Sequence, residues 1–184
     1  MQKQLREFLD LDDVVRIAKG FISAEIHWYS DNRLLRYRIL ETEAYRGHDD
    51  RASHAWRGRP TKRTQIMFGP SGRSYIYLCY GIHHLLNVVT NQVGKADAVL
   101  IRAAALLDEH DRLLQILDGP GKLTRSMGLD IRWNDHPLDQ QPLVLTGNFE
   151  SSSRDVICSP RVGVDYAGTD ALLPWRFRLD PQKG

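Results

Sequence analysis

The stretch from Arg33 to Tyr45 reads as one long strand, and everything around it has to accommodate that strand. Successive side chains of a strand point to opposite faces. On an unbroken strand Leu35, Tyr37, Ile39, Glu41, Glu43 and Tyr45 therefore share one face, while Thr42 and Ala44 lie on the other. Two carboxylates are thus set beside apolar side chains that need a core. A bulge or fraying near the strand end would separate the two glutamates, and the residues alone leave both arrangements open.

The flanking segments supply the partners such a strand needs. Residues 10–19 read as a short amphipathic helix, with Asp10 or Asp12 as its cap and Gly20 as a left-handed stop. Phe21 to Tyr29 is rich in β-formers, and Ser30-Asp31-Asn32 reads as a turn. Arg46 to Pro60 has loop composition; Thr61 to Phe68 predicts a short helix capped by Thr61, ahead of a turn at Gly69-Pro70-Ser71-Gly72. Ser74–Tyr80 and Leu85–Thr90 read as strands joined at Gly81, with Tyr75 and Tyr77 on one face. Asn91 to Asp97 is a turn, and Ala98 to Ala103 a buried strand carrying Arg102. Ala104 to Leu117 is helical in composition, and Gly119-Pro120-Gly121-Lys122 opens a helix that runs to about Met127 and stops at Gly128. Leu143–Thr146, Arg161–Val164 and Trp175–Leu179 read as further short strands. With no internal repeat or linker, the expectation is one α+β domain over residues 1–184: a curved, largely antiparallel sheet with peripheral helices.

Charge is distributed unevenly. From Arg51 to Ala96 there is no Asp or Glu, against seven cations: Arg51, Arg57, Arg59, Lys62, Arg63, Arg73 and Lys95. The whole chain has a formal charge of +2, so the residues outside this window sum to 2 − 7 = −5. Trp56, Phe68, Tyr75, Tyr77 and Tyr80 are interleaved with the cations. Cations for phosphates and flat rings for bases are the footprint of a nucleic-acid surface. No apolar run reaches the roughly 20 residues of a membrane helix, and Met1 to Arg6 lacks the apolar core of a signal peptide. Cys79 and Cys158 suggest neither a disulfide framework nor a zinc ribbon. A reduced, cytoplasmic setting without membrane association is expected, nucleoid-associated in a bacterium.

Each candidate group has an ordinary structural reading beside its chemical one. A strand-end Glu is commonly just solvated, but Glu43 stands beside a cationic, aromatic segment where an idle negative charge would repel phosphate. His48, Asp49, Asp50 and His54, with His83 and His84, offer metal-ligand chemistry for a hydrolase, yet match no ligand spacing such as His-Glu-x-x-His. No metal and no cofactor is expected. The turn at Gly119–Lys122 has free amides suited to a backbone phosphate and lacks the spacing of a nucleotide loop. The basic segment is equally compatible with a noncatalytic DNA- or RNA-binding module.

Taken in order, Glu41-Thr42-Glu43-Ala44-Tyr45, Ala52-Ser53-His54, Met67-Phe68, Tyr75-Ile76-Tyr77-Leu78-Cys79-Tyr80-Gly81, Asn87, Val99-Leu100-Ile101-Arg102-Ala103, Gly119-Pro120-Gly121-Lys122-Leu123 and Arg161-Val162-Gly163-Val164 resemble the 3-methyladenine DNA glycosylase family of the alkyladenine type. The resemblance spans nearly the whole chain. It implies a monofunctional, cofactor-free enzyme, expected to be a monomer, that excises damaged purines from double-stranded DNA after extruding the nucleotide. It further implies Glu43 as the base that activates water, Arg102 as the residue that helps hold that water, and Tyr80 as the wedge left in the duplex. Tyr45, Tyr77 and His54 match the walls of the base pocket, and Asn87 the pocket residue that excludes the guanine amino group. Arg57, Arg59, Lys62, Arg63 and Lys122 are the candidates for DNA-backbone contacts.

Overall fold

The computed structural model describes residues 3–30, 33–149 and 156–179. Its frame is β2 (Arg33–Tyr45). Along one edge β2 pairs with β5 (Asp97–Leu107) from Arg36 to Tyr45. Along the other it pairs first with β1 (Glu25–Ser30), up to Arg38, and then with β10 (Arg176–Leu179), from Glu41 to Glu43. The far side of β5 is shared in the same way. β4 (His83–Thr90) covers Ala98 to Leu100 and Asp97, and β6 (Leu113–Asp118) covers Ala103 to Leu107. β3 (Ser74–Cys79) extends the sheet beyond β4, β7 (Asp139–Gln140) and β8 (Leu143–Thr146) beyond β1, and β9 (Val156–Ser159) beyond β10. Every pairing is antiparallel, and two strands sharing one edge make the sheet curl.

The decisive local feature is a double slip in the β2–β5 ladder. Ile39 pairs with Ala104, Glu41 with Ala103 and Thr42 with Ile101, so Leu40 and Arg102 have no cross-strand partner. One extra residue flips a strand's parity. Tyr37 and Ile39, then Thr42 and Ala44, face the main core, and Thr42 fixes this by donating Oγ1 to the carbonyl of Ala18 at 2.7 Å. Glu41, Glu43 and Tyr45 turn to the opposite face. Of the two arrangements the residues leave open, the strand is bulged, but the bulge at Leu40 precedes both glutamates: it parts them from the apolar side chains and keeps the two together. On β5 the slip does the same, leaving Ile101 and Ala104 in the core and turning Arg102 to the glutamates.

The core forms where three helices pack on this sheet. α1 (Lys3–Leu9), α2 (Val14–Gly20) and α3 (Pro120–Met127) contribute Leu5, Leu9, Ile17, Leu123 and Met127, all buried. Asp13, rather than Asp10 or Asp12, caps α2, accepting from the Arg16 amide at 2.9 Å. Gly20 is still helical, and the positive φ after the helix belongs to Ser23 at 72°. α3 follows the sequence reading: Gly119 precedes it, Pro120 opens it, and Gly128 ends it at φ 67°. The helix expected over Ala104–Leu117 is instead the second half of β5 and β6, because Ala104 and Leu117 are held in the core by the ladder. Arg161–Val164 is a loop, and β9 takes the strand place there. Thr61–Phe68 gives only a 3-10 turn over Gln65–Phe68, although Thr61 Oγ1 does accept from the Thr64 amide. Asp31 and Asn32 of the expected turn lie outside the described residues. Among the described residues no helix is long and apolar enough to cross a membrane.

Candidate active site

The face turned outward by the bulges is one side of a cavity of about 760 Å³. Its aromatic wall comes from β3, whose period places Tyr75 and Tyr77 side by side, ring centroids 5.5 Å apart. His54, from the loop after β2, meets Tyr77 edge to face at 4.6 Å and bonds Tyr75 Oη through Nδ1 at 2.9 Å. Arg63 donates to His54 Nε2 at 3.2 Å. A guanidinium can only donate, so Nδ1 carries the proton and donates to Tyr75. His54 is exposed at the cavity rim; the protein atoms crowding its ring, together with the Arg63 cation, lower its pKa to about 4. It is neutral at physiological pH.

Glu43 lies beneath this wall with no exposed surface. Its carboxylate accepts from Tyr45 Oη and from the Val162 amide, both at 2.8 Å, and Arg102 Nη1 stands 3.4 Å away. Burial raises its pKa, against the lowering pull of Arg102 and the Val162 amide. Glu41 behaves oppositely. Burial works against its charge, but Arg176 at 2.8 Å and Arg102 at 2.7 Å hold its pKa below the usual value. Two adjacent carboxylates are thereby pushed apart: Glu41 is a fixed anion that anchors Arg102, and Glu43 has the higher proton affinity.

Tyr45 is fixed from behind. Arg161, fully buried, packs 4.8 Å over the Tyr45 ring and 5.2 Å over Trp175. Its guanidinium is paired with Asp50 through contacts of 2.5 and 2.9 Å and also donates to the carbonyls of Ala44 and Asp170. Both Asp50 oxygens also accept loop amides, from Arg46 and Ala52, so this carboxylate organises the loop that carries His54. Asn87 is buried and donates its amide to the carbonyls of Tyr75 and Leu85, which leaves Oδ1 as its free polar atom.

At the cavity lip β3 and β4 are joined by the three residues Tyr80, Gly81 and Ile82; Tyr80 and Gly81 have positive φ (51° and 71°), and the Ile82 amide closes the turn on the Cys79 carbonyl at 3.1 Å. Tyr80 is 87% exposed. Across the mouth stands Tyr166, 71% exposed and tied by Oη to the Ala52 carbonyl. Gly121 lines the same mouth, and a Cβ there would sit 2.8 Å from the His83 ring, which explains the glycine.

Most of the expected site residues converge: Tyr45, His54, Tyr77, Asn87, Tyr80, Arg102 and Lys122 all line this cavity, with Glu43 directly beneath. Arg57, Arg59 and Lys62 are exposed outside it, Arg57 lying over the Trp56 ring. Arg63 turns inward and Lys122 is paired with Asp118. Arg176 and Tyr166 carry no signal in the sequence, and Asp50, a metal-ligand candidate there, is instead the partner of Arg161. Arg161 and Val162 stand in a motif but with nothing to assign them a partner.

A mixed α+β enzyme with one aromatic cavity over a desolvated carboxylate is the class of protein this arrangement defines. The sequence model of the methylpurine-DNA glycosylase family matches residues 7–183. A protein of Carboxydothermus hydrogenoformans is 38% identical over 181 residues, covering 93% of this chain and 92% of its own. One of Desulfitobacterium hafniense is 32% identical over 197 residues, covering 98% and 96%, and one of Nitrosococcus oceani 44% identical over 152 residues, covering 77% and 75%. All three carry the provisional name 3-methyladenine DNA glycosylase. The chain belongs to the methylpurine-DNA glycosylase family, whose members are hydrolases of the N-glycosidic bond in DNA.

Proposed function

We propose that the cavity receives a damaged purine flipped out of duplex DNA and that Glu43 activates the water that releases it. The observation that carries this reading is the Glu43 carboxylate: desolvated, raised in pKa, and aligned by Tyr45, Val162 and Arg102 directly under the aromatic slot. A base in that position accepts a proton from water as the water oxygen bonds C1′. The N-glycosidic bond breaks with its electron pair going to the purine nitrogen. A 3-methyladenine, already cationic, leaves neutral; hypoxanthine leaves only if its developing charge is protonated or stabilised. Arg102 steadies the water while Glu41 fixes Arg102, and the negative charge of Glu43 favours the oxocarbenium-like sugar. Tyr45, Tyr77 and His54 supply walls on which a cationic base stacks. Asn87 excludes the guanine amino group, and Tyr80 fills the gap in the duplex. Flipping costs a few kcal/mol, and stacking of about 1–3 kcal/mol per base offsets it. Arg57, Arg59, Lys62 and Lys122 hold the DNA backbone, Lys122 after exchanging Asp118 for phosphate, and the enzyme acts as a monomer without metal or cofactor.

The test is release of free base, in EDTA, from duplexes carrying one deoxyinosine or alkylated purines. Glu43→Gln is expected to slow release by roughly 10²- to 10⁴-fold while keeping affinity for abasic-site DNA. Tight binding with no release by the wild type would instead identify a damage-binding module.

A further inference from the structure

Arg63 belongs to the exposed basic segment, yet its guanidinium is inside the cavity. It lies 4.8 Å over the Tyr77 ring while donating to His54 Nε2 at 3.2 Å. Its charge also reaches the hydroxyls of Tyr75 and Tyr166, on two sides of the mouth. A guanidinium is planar, delocalised and positive. An alkylated purine is the same kind of object. The side chain occupies the ring that the proposed function gives to the flipped base, and it satisfies the imidazole nitrogen that a bound base would face.

We propose that Arg63 is a latch on the base pocket: its guanidinium sits in the place of the base on Tyr77 and must leave before any base can stack there. The proposal rests on the reading of this cavity as a base pocket. Its energetic consequence is specific. Displacing the latch costs the same whichever base displaces it, so Arg63 lowers occupancy for every base equally and leaves the ratio between cationic and neutral bases untouched. Simple charge repulsion from a nearby arginine would behave differently, penalising cationic bases alone. The latch also has somewhere to go. Its backbone is on the exposed turn that carries Lys62, so the freed guanidinium is placed to meet DNA phosphate. Without DNA the pocket stays shut to stray bases, including released product.

The experiment measures binding of two free ligands by calorimetry, neutral hypoxanthine and a 3,9-dialkyladeninium cation, without DNA. Wild type, Arg63→Ala, Tyr77→Leu and the double variant are compared. Arg63 is exposed, so its replacement leaves the core intact; thermal melts of all four proteins confirm folding. Losing the cation–π contact is expected to tighten both ligands by the same factor, roughly 2- to 30-fold. On the Tyr77→Leu background, where only the His54 hydrogen bond still holds the guanidinium, Arg63→Ala is expected to tighten both ligands by a smaller factor than in the wild type. A gain for the cation alone, or no gain for either ligand, overturns the latch while leaving the base pocket standing. If none of the four proteins binds either ligand, and the wild type releases no base from damaged duplex, the base-pocket reading itself has failed and the latch falls with it.

Discussion

Glu43 has its proton affinity raised first by burial, and Arg102 and the Val162 amide only partly counter this. The sign of the consequence is fixed by linkage. A group whose pKa is higher folded than unfolded contributes stability below its unfolded value, about 4.3 for Glu, and loses that contribution as pH rises through the folded value. Glu43→Gln removes the titration, so its melting temperature is expected to gain on the wild type as pH rises from 4 to 8. A difference that stays constant over this range would show that Glu43 carries no raised pKa. With Glu43 as the proposed base, activity requires its ionised form, and the acid limb of the rate profile is expected above the ordinary carboxylate range. At this scale the sequence was informative about the groups that face the cavity, because motif and residue type travel together there. It offered Asp50 only as a metal ligand, Arg161 only as part of a motif, and Arg176 not at all. Their roles come from partners more than 100 positions away, Arg161 with Asp50 and Arg176 with Glu41, and no local pattern encodes such a pairing. Removing either member of the buried Arg161–Asp50 pair strands the other, a loss on the order of 3–5 kcal/mol.

Among the elements, strands and turns marked by strong local chemistry were legible: β2 over its whole length, β8, and α3 between its proline and glycine. What escaped was set by tertiary pairing. Ala104 to Leu117 has helical composition, but a core-facing ladder position overrides a propensity worth tenths of a kcal/mol per residue. The bulges at Leu40 and Arg102 leave no trace in composition, although they decide which face the glutamates take. The β3–β4 turn shows the opposite case, where an element departs from local preference. Tyr80 holds φ 51° with 87% of its surface exposed, so packing does not explain its place in a left-handed conformation that favours Gly or Asn. Strain of this kind marks a functional position. Tyr80→Asn is expected to relieve about 1 kcal/mol, a rise of roughly 2–4 °C in melting temperature, while weakening abasic-site DNA binding at least about tenfold. A variant that is both no more stable and equally tight would show that the tyrosine is neither strained nor a wedge.

Over the whole molecule the basic window is less available than its seven cations suggest. Lys95 is held by Asp12 at 2.7 Å, Arg73 donates to the Asp135 carbonyl at 2.8 Å, and Arg63 is inside the cavity. The acid-free stretch meets its carboxylates in segments that precede and follow it, around Asp12 and Asp135. A count along the sequence cannot see this, since Asp12 and Asp135 lie outside the window. Arg57, Arg59 and Lys62 stay exposed on the segment that leads to the cavity mouth, and in the proposed function they supply the long-range attraction for DNA. Each phosphate neutralised by a protein cation steepens the dependence of log affinity on log salt by about 0.9. Replacing Arg57, Arg59 and Lys62 together by Gln is therefore expected to flatten that slope by about 2.7 for an abasic duplex. Replacing Arg73 and Lys95 by Gln is expected to leave it unchanged, because those charges are already spent on Asp135 and Asp12. Titrations between about 50 and 200 mM salt separate the outcomes: equal flattening by both sets would mean that the internal ion pairs open on DNA, and no flattening by the first would move the phosphate contacts to the other rim, where Lys122 and Arg125 line the mouth.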